Sequence, residues 1–144
     1  MRVTMGNQAK MLAQAARWHG QDAMRADSIA LGVIDQRGDL HAVITIDNQQ
    51  EHSCDIHISS NGLKRWATRH VCETISEFIF LRLGMKKVKT CIPVKNTYAQ
   101  RLGLALGFEI EGYTKCGAHD GSDGVYMGMT RDDCRWLELE KVNG

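Results

Sequence analysis

The segment from Lys87 to Tyr113 constrains the fold of this chain more than any other part of it. A β-branched stretch predicts a strand over 88–94, helix formers predict a short helix over 97–106, and a second strand is predicted over 108–115. Asn96 is the predicted N-cap of the helix. Helices that cross over between strands pack on the sheet that those strands form, so this segment predicts an α/β or α+β fold.

In the rest of the chain the spacing of the apolar residues changes from helical to strand-like and back. An N-terminal helical region is followed by three strands, and a long amphipathic helix comes next. An antiparallel meander followed by helix crossovers predicts a mixed sheet. The predicted elements outside the first segment are helices over 7–18, 22–27, 63–83 and 132–140, and strands over 2–5, 29–35, 40–47, 53–59 and 125–130.

Charge and hydropathy argue against two classes of partner. Eighteen Lys and Arg residues face seventeen Asp and Glu residues, which leaves a formal net charge of +1 and argues against nucleic acid as a partner. The longest apolar run, around 78–81, is far too short to span a bilayer, so no membrane partner is expected.

The chain of 144 residues is expected to form one domain over 1–144, because it has a single proline and no Ser/Gly-rich linker. Its N-terminus lacks the apolar core of a signal peptide. Five cysteines, an odd number without CxxC spacing, favour a reducing compartment, with the cytoplasm as the expectation.

Three features carry a resemblance to a known family: Asn96 with Ala99, the run Leu106-Gly107-Phe108, and Glu111-Gly112. In this order they resemble the closing pattern of the GNAT acyltransferase superfamily, in particular its ribosomal-protein N-terminal acetyltransferase branch. Residues 126–137 resemble the ending of small acetyltransferase-like proteins encoded by tailed phages and prophages. The resemblance covers roughly 28–137. It implies a mixed, mostly antiparallel twisted sheet flanked by helices.

The same resemblance implies that the chain uses acetyl-coenzyme A as acyl donor, without a metal. In the family, the coenzyme A pyrophosphate binds at the start of the helix that corresponds to 63–83, where bare backbone N–H groups meet the phosphates. That window is 62–67 here, and only Ala67 fits the family's glycine-rich pattern, because Arg65 stands at its central glycine. The candidate cofactor-binding residues are Ser59, Ser60, Asn61, Gly62, Lys64, Arg65, Ala67 and Asn96.

His57 is the candidate general base, because imidazole transfers protons readily near neutral pH and the residue lies mid-strand on the polar face of the third main strand. Glu109, on the strand after Phe108, is the second candidate catalytic residue. Many family members place a tyrosine acid seven residues after the asparagine, which is Gly103 here. Tyr98 is expected on another face of the helix.

Two functions of different classes follow. The first is an N-acyltransferase, in the simplest case an N-acetyltransferase, whose acetyl group is transferred by direct attack of an amine carried by a small molecule or a protein; a homodimer is compatible with it. The second is a non-catalytic GNAT-like phage protein, a virion, assembly or other binding factor. A phage-encoded chain would act in the host cytoplasm or the virion. Nucleobase modification by an acyltransferase-like enzyme is a third hypothesis, with no basic surface to favour it.

Overall fold

The computed structural model describes residues 1–19 and 28–137. Its strands and helices follow the predicted order closely. The strands are β1 (Arg2–Thr4), β2 (Ile29–Ile34), β3 (Leu40–Asp47), β4 (Ser53–Ser60), β5 (Lys87–Pro93), β6 (Glu109–Thr114) and β7 (Gly124–Thr130), and the helices are α1 (Gln8–His19), α2 (Arg69–Glu77), a π-helical turn (Phe78–Arg82) and α3 (Thr97–Leu106).

The seven strands form one sheet in the order β1-β2-β3-β4-β5-β7-β6. All neighbouring strands are antiparallel except β4 and β5, which are parallel. The predicted fold class, a mixed and mostly antiparallel sheet flanked by helices, is confirmed.

The parallel pair β4–β5 is joined over only part of its length. The paired residues are Ser53 with Lys87, Cys54 with Val88 and Asp55 with Lys89. Beyond these pairs, residues 56–60 of β4 and 90–93 of β5 continue as strands without pairing to each other. We call the gap between these two stretches the splay.

Hydrophobic residues cover both faces of the sheet, as the alternation of side chains along the strands requires. The main cluster contains Trp66 and Phe80 and lies between the sheet and α2. A second cluster packs α1 on the opposite face, where Met11 and Ala15, one helical turn apart, meet Val43 of β3. The two helices therefore lie on opposite sides of β4.

The predicted start of the long helix was wrong. Thr68, with an extended backbone, is the N-cap of α2, and its hydroxyl accepts a hydrogen bond from the Val71 N–H at 3.2 Å. The preceding loop 61–68 is held by turns, with the Ala67 N–H donating to Lys64 O and the Thr68 N–H to Trp66 O. The apolar spacing predicts a helix from residue 63 because Trp66 is apolar at a helical spacing from the residues that follow. Trp66 is indeed buried, but from the loop before the helix.

The predicted C-terminal helix was also wrong for the described residues 132–137, which form turns. Two side chains bind the segment to the end of α3: Trp136 Nε1 donates to Leu106 O at 2.8 Å, and the Arg135 guanidinium donates to Ala105 O. Cys134 and Leu137 are buried. The predicted helical piece over 22–27 lies outside the described residues.

None of the described helices combines the length and the apolar character needed to cross a bilayer.

Candidate functional site

The splay opens into a cleft with a volume of about 310 Å³. Residues 56–60 of β4 and Thr90 to Pro93 of β5 form two of its sides, and α3, the end of α1 and the loop between β6 and β7 close the others. The cleft exists because two strands that would otherwise pair diverge after three residues.

Backbone groups of β4 face this gap without a strand partner. The Asn61 N–H donates to His41 O on the β3 side at 3.1 Å. Peptide groups alternate in direction along a strand, so those of Ile56, Ile58 and Ser60 point the other way, into the splay. An extended ligand that contains amide groups can bind there as an added strand would.

His57 is held in the cleft by a carboxylate that sequence reasoning missed. Its Nε2 lies 3.3 Å from Asp47 Oδ2 on the neighbouring strand β3, with side-chain exposures of 30% and 14%. The Ser28 hydroxyl donates to the other oxygen of Asp47. A carboxylate partner keeps the proton on Nε2 and leaves the Nδ1 lone pair of His57 available as a proton acceptor.

Asp55 and Ser59 lie on the same strand as His57, and neither forms a hydrogen bond or ion pair with it. Asp55 lies 3.6 Å from the Lys89 ammonium and accepts from Asn48 Nδ2 at 3.2 Å. Ser59 shares the α1-facing side of β4 with His57, because the β3 partners of the two residues are Val43 and Thr45. Asp47 lies diagonally across from His57 and was not identified because the register between β3 and β4 is not visible in the sequence.

Two more histidines join His57 from distant parts of the chain. The ring centroid of His19, at the end of α1, lies 6.0 Å from that of His57 and 4.4 Å from that of His119 in the β6–β7 loop. Burial, and then the charges of His119 and His57, lower the pKa of His19 to about 4, so its imidazole is neutral at pH 7. Within residues 1–19 and 28–137, no three His, Cys, Asp or Glu side chains are arranged to hold a metal ion.

The predicted cofactor-binding residues divide into two groups. Ser59, Ser60 and Asn96 line the cleft. The others lie in or next to the loop 61–68, outside the cleft lining: Asn61, Gly62, Lys64, Arg65 and Ala67.

Lys64 connects the loop to the cleft, because its Nζ lies 5.4 Å from the centroid of the Tyr98 ring, and Tyr98 lines the cleft. Gly62 has φ +89°, a left-handed conformation that disfavours a side chain. Arg65 is exposed, and Trp66 is buried in the main core on the α2 side. Neither of these two large side chains fills the cleft.

Glu109 is not brought to His57. It lies at the start of β6, the edge strand, and β5 and β7 stand between β6 and β4. Tyr98 lines the cleft, as Gly103 does. A Cβ at Gly103 would lie 3.0 Å from Met127 Cε, so the Met127 side chain would have to move to admit the tyrosine of the family pattern.

Asn96 is confirmed as the N-cap of α3, since its Oδ1 accepts from the Ala99 N–H at 3.1 Å. We expect Asn96→Ala to lower the free energy of unfolding by about 1 kcal/mol, because one first-turn amide loses its partner. Chemical denaturation would measure this. Asn96→Ser, which keeps a capping oxygen, is the matched control and should lose much less. Equal losses in the two variants would show that the amide does more than cap the helix.

Comparison of the fold with solved structures gives three informative matches. Ribosomal-protein-S5-alanine acetyltransferase from Vibrio fischeri matches with a TM-score of 0.70 and 13% identity, over 94% of each chain. An acetyltransferase of the GNAT family from Streptococcus pneumoniae matches with a TM-score of 0.66 and 16% identity, over 90% of this chain and 98% of that chain. A mutant of spermidine N-acetyltransferase SpeG from Vibrio cholerae matches with a TM-score of 0.64 and 19% identity, over 91% of this chain and 77% of that chain.

No protein-family model matches the sequence, and no curated protein matches it significantly. At the identities of the solved structures the likeness concerns the fold. The chain has the GNAT acetyltransferase fold.

Proposed function

We propose that the protein is an N-acetyltransferase that transfers the acetyl group of acetyl-coenzyme A to an amine by direct attack. The observation that carries the proposal is the splay in a GNAT fold, a cleft of about 310 Å³ with an imidazole–carboxylate pair on its wall. The cleft combines unpaired strand backbone, which suits an amide-containing cofactor arm, with a group that accepts protons.

The pantetheine arm of the cofactor contains two amides and fits the splay as an extended chain. We place these amides against the peptide groups of Ile56, Ile58 and Ser60, with Asn96 at the opposite wall. The thioester then lies deeper in the cleft, on the side of His57.

The phosphates are placed outside the cleft lining, at the loop 61–68. Lys64 and Arg65 supply positive charge, and the side chains of Ser60 and Asn61 supply hydrogen-bond donors. The N–H groups of Gly62 and Ala67 already donate within the loop, to Ser60 Oγ and Lys64 O, so these two residues shape the loop. The backbone amides of Arg69 and His70 lie in the first turn of α2, before the Val71 amide that Thr68 caps. They carry the positive end of the helix dipole and can also donate to the phosphates. These donors take the place of the bare glycine backbone of the family pattern.

The chemistry of transfer assigns one role to His57. The acceptor arrives as an ammonium ion, and His57 Nδ1 takes one of its protons. The nitrogen lone pair attacks the thioester carbonyl carbon, the C–N bond forms, and collapse of the tetrahedral intermediate breaks the C–S bond. The thiolate takes the second nitrogen proton, which leaves an amide and a free thiol. Asp47 stabilises the imidazolium ion that His57 becomes.

Titration calorimetry with acetyl-coenzyme A tests the cofactor site directly. We expect a Kd on the order of 10 μM, about −7 kcal/mol. Ala99→Trp, which places an indole into the cleft lining, should weaken binding by more than about tenfold. The control is Ala105→Trp, the same change at an exposed position of α3 outside the lining, which should leave binding intact. Equal affinity in the two variants would place the cofactor elsewhere.

One observation favours a second function, that of a GNAT-fold binding protein without catalysis. Helix α2 begins only at Arg69, so the window 62–67, in which the family binds phosphates, lies in the loop before the helix and not in its first turn. Arg65 also replaces the central glycine of that window. Absence of heat at millimolar acetyl-coenzyme A, in protein with a cooperative unfolding transition, would establish this second function over the first.

A further inference from the structure

The cleft end beside His57 is built from aromatic rings contributed by separate parts of the fold. Trp18 and His19 end α1, and His119 comes from the β6–β7 loop; all three line the cleft. The His19 and His119 rings are tilted by 40° at a centroid distance of 4.4 Å, close enough for direct ring contact. We call these three side chains the aromatic wall.

The described lining of the cleft contains no Asp or Glu side chain. Asp47, the carboxylate that contacts His57, also accepts from the Ser28 hydroxyl. An acceptor with several ammonium groups would find no anionic partner for its additional charges among the described lining residues, and an unpaired charge is costly away from water.

Ser59 supplies an independent sign of a polar ligand at the same end. Its side chain is 4% exposed and lines the cleft, and its hydroxyl has no hydrogen-bond partner among residues 1–19 and 28–137. Buried hydroxyl groups are almost always hydrogen-bonded. Because Ser59 is on the same face of β4 as His57, a polar atom bound by both would sit where the acceptor nitrogen must attack.

We infer that the acceptor is an aromatic or heteroaromatic monoamine, whose ring packs on the aromatic wall and whose single amine lies between Ser59 Oγ and His57. This inference rests on the proposed function and names its substrate class. A flat ring gains stacking contact with the wall, and a single amine needs no second anionic partner.

The test compares tryptamine with spermidine as acceptors, following thiol release from acetyl-coenzyme A. We expect kcat/KM for tryptamine to exceed that for spermidine by more than about tenfold. His119→Ala should raise the KM for tryptamine about tenfold with little change in kcat, and His119→Phe, which restores a ring, should recover most of the loss. The matched control is His52→Ala, a histidine exposed outside the cleft.

If kcat/KM for spermidine equals or exceeds that for tryptamine, the inference is overturned while the proposed function stands. An unchanged KM in His119→Ala would also overturn it. Should acetyl-coenzyme A neither bind nor turn over, the proposed function fails, and a calorimetric titration of tryptamine into the protein alone decides the inference. Saturable binding that His119→Ala weakens and His119→Phe restores would sustain the ring-binding site, and no binding would overturn it.

Discussion

His57→Gln should lower kcat by about 10² to 10⁴-fold, the usual contribution of a positioned general base. Glutamine keeps a polar side chain of similar reach, but it cannot accept and hold the ammonium proton of the acceptor. The affinity for acetyl-coenzyme A should stay within about twofold, since His57 is placed at the reaction and not at the phosphates. Steady-state thiol release and calorimetry give the two numbers separately.

Two further variants make this result specific. His52→Gln carries the same change at an exposed histidine outside the cleft and should leave kcat unaltered. Asp47→Asn should also lower kcat, because it removes the carboxylate that keeps the proton on Nε2 and stabilises the imidazolium ion. A kcat for His57→Gln within about threefold of the wild type would exclude His57 as the base.

Trp66→Ala should lower the free energy of unfolding by about 3–5 kcal/mol, the usual cost of emptying a large aromatic site in a core. Trp66 is 2% exposed and belongs to the main cluster under α2. The same residue anchors the loop that carries Lys64 and Arg65, so a folded Trp66→Ala variant should also bind acetyl-coenzyme A less tightly. Urea denaturation measures the stability, and the cofactor titration measures the affinity.

Trp66→Phe separates packing from polarity at this position. The indole N–H of Trp66 has no hydrogen-bond partner within the described part of the chain. Phenylalanine fills most of the volume and removes that buried donor, so its cost should be well below that of alanine. The surface control is Leu63→Ala, at a side chain 51% exposed, with an expected change within about 0.5 kcal/mol. A loss below about 1 kcal/mol in Trp66→Ala would contradict the buried position.

Local signals made the second half of the fold predictable. The strand, capped helix and following strand over 88–115 were found from β-branched residues, the capping oxygen of Asn96 and the left-handed Gly107, which has φ +108°. Each of these signals acts within a few residues of the chain. The observed β5 (Lys87–Pro93), α3 (Thr97–Leu106) and β6 (Glu109–Thr114) differ from the predicted bounds by one residue at most ends.

The proposed reaction centre depends on contacts between distant residues, and its full composition could not be predicted. His57 was identified because it lies mid-strand on the polar face of an alternating strand. Its partner Asp47 depends on the β3–β4 register, and the meeting of His19 with His119 depends on how α1 and the β6–β7 loop approach each other. Nothing within either segment signals the other.

The start of α2 shows a different limit of sequence reasoning. Apolar spacing places Trp66 on the helix. The Thr68 hydroxyl, however, accepts a hydrogen bond from the Val71 N–H, and the helix begins only after Thr68. A side chain that bonds to its own backbone competes with helical hydrogen bonds, and periodicity does not register this competition. The residues proposed to bind the phosphates were therefore assigned to a helix although they belong to a loop.

The brief pairing of β4 with β5 also bears on how a ligand could be admitted. Three residue pairs form the joint between a four-stranded plate, β1 to β4, and a three-stranded plate, β5 to β7. Widening of the space between Ser60 and Pro93 would leave the strand pairs inside each plate intact only if the sheet turned about this joint. The short β4–β5 pairing thus puts the point about which the sheet would open at the closed end of the gap that a long, thin molecule has to enter.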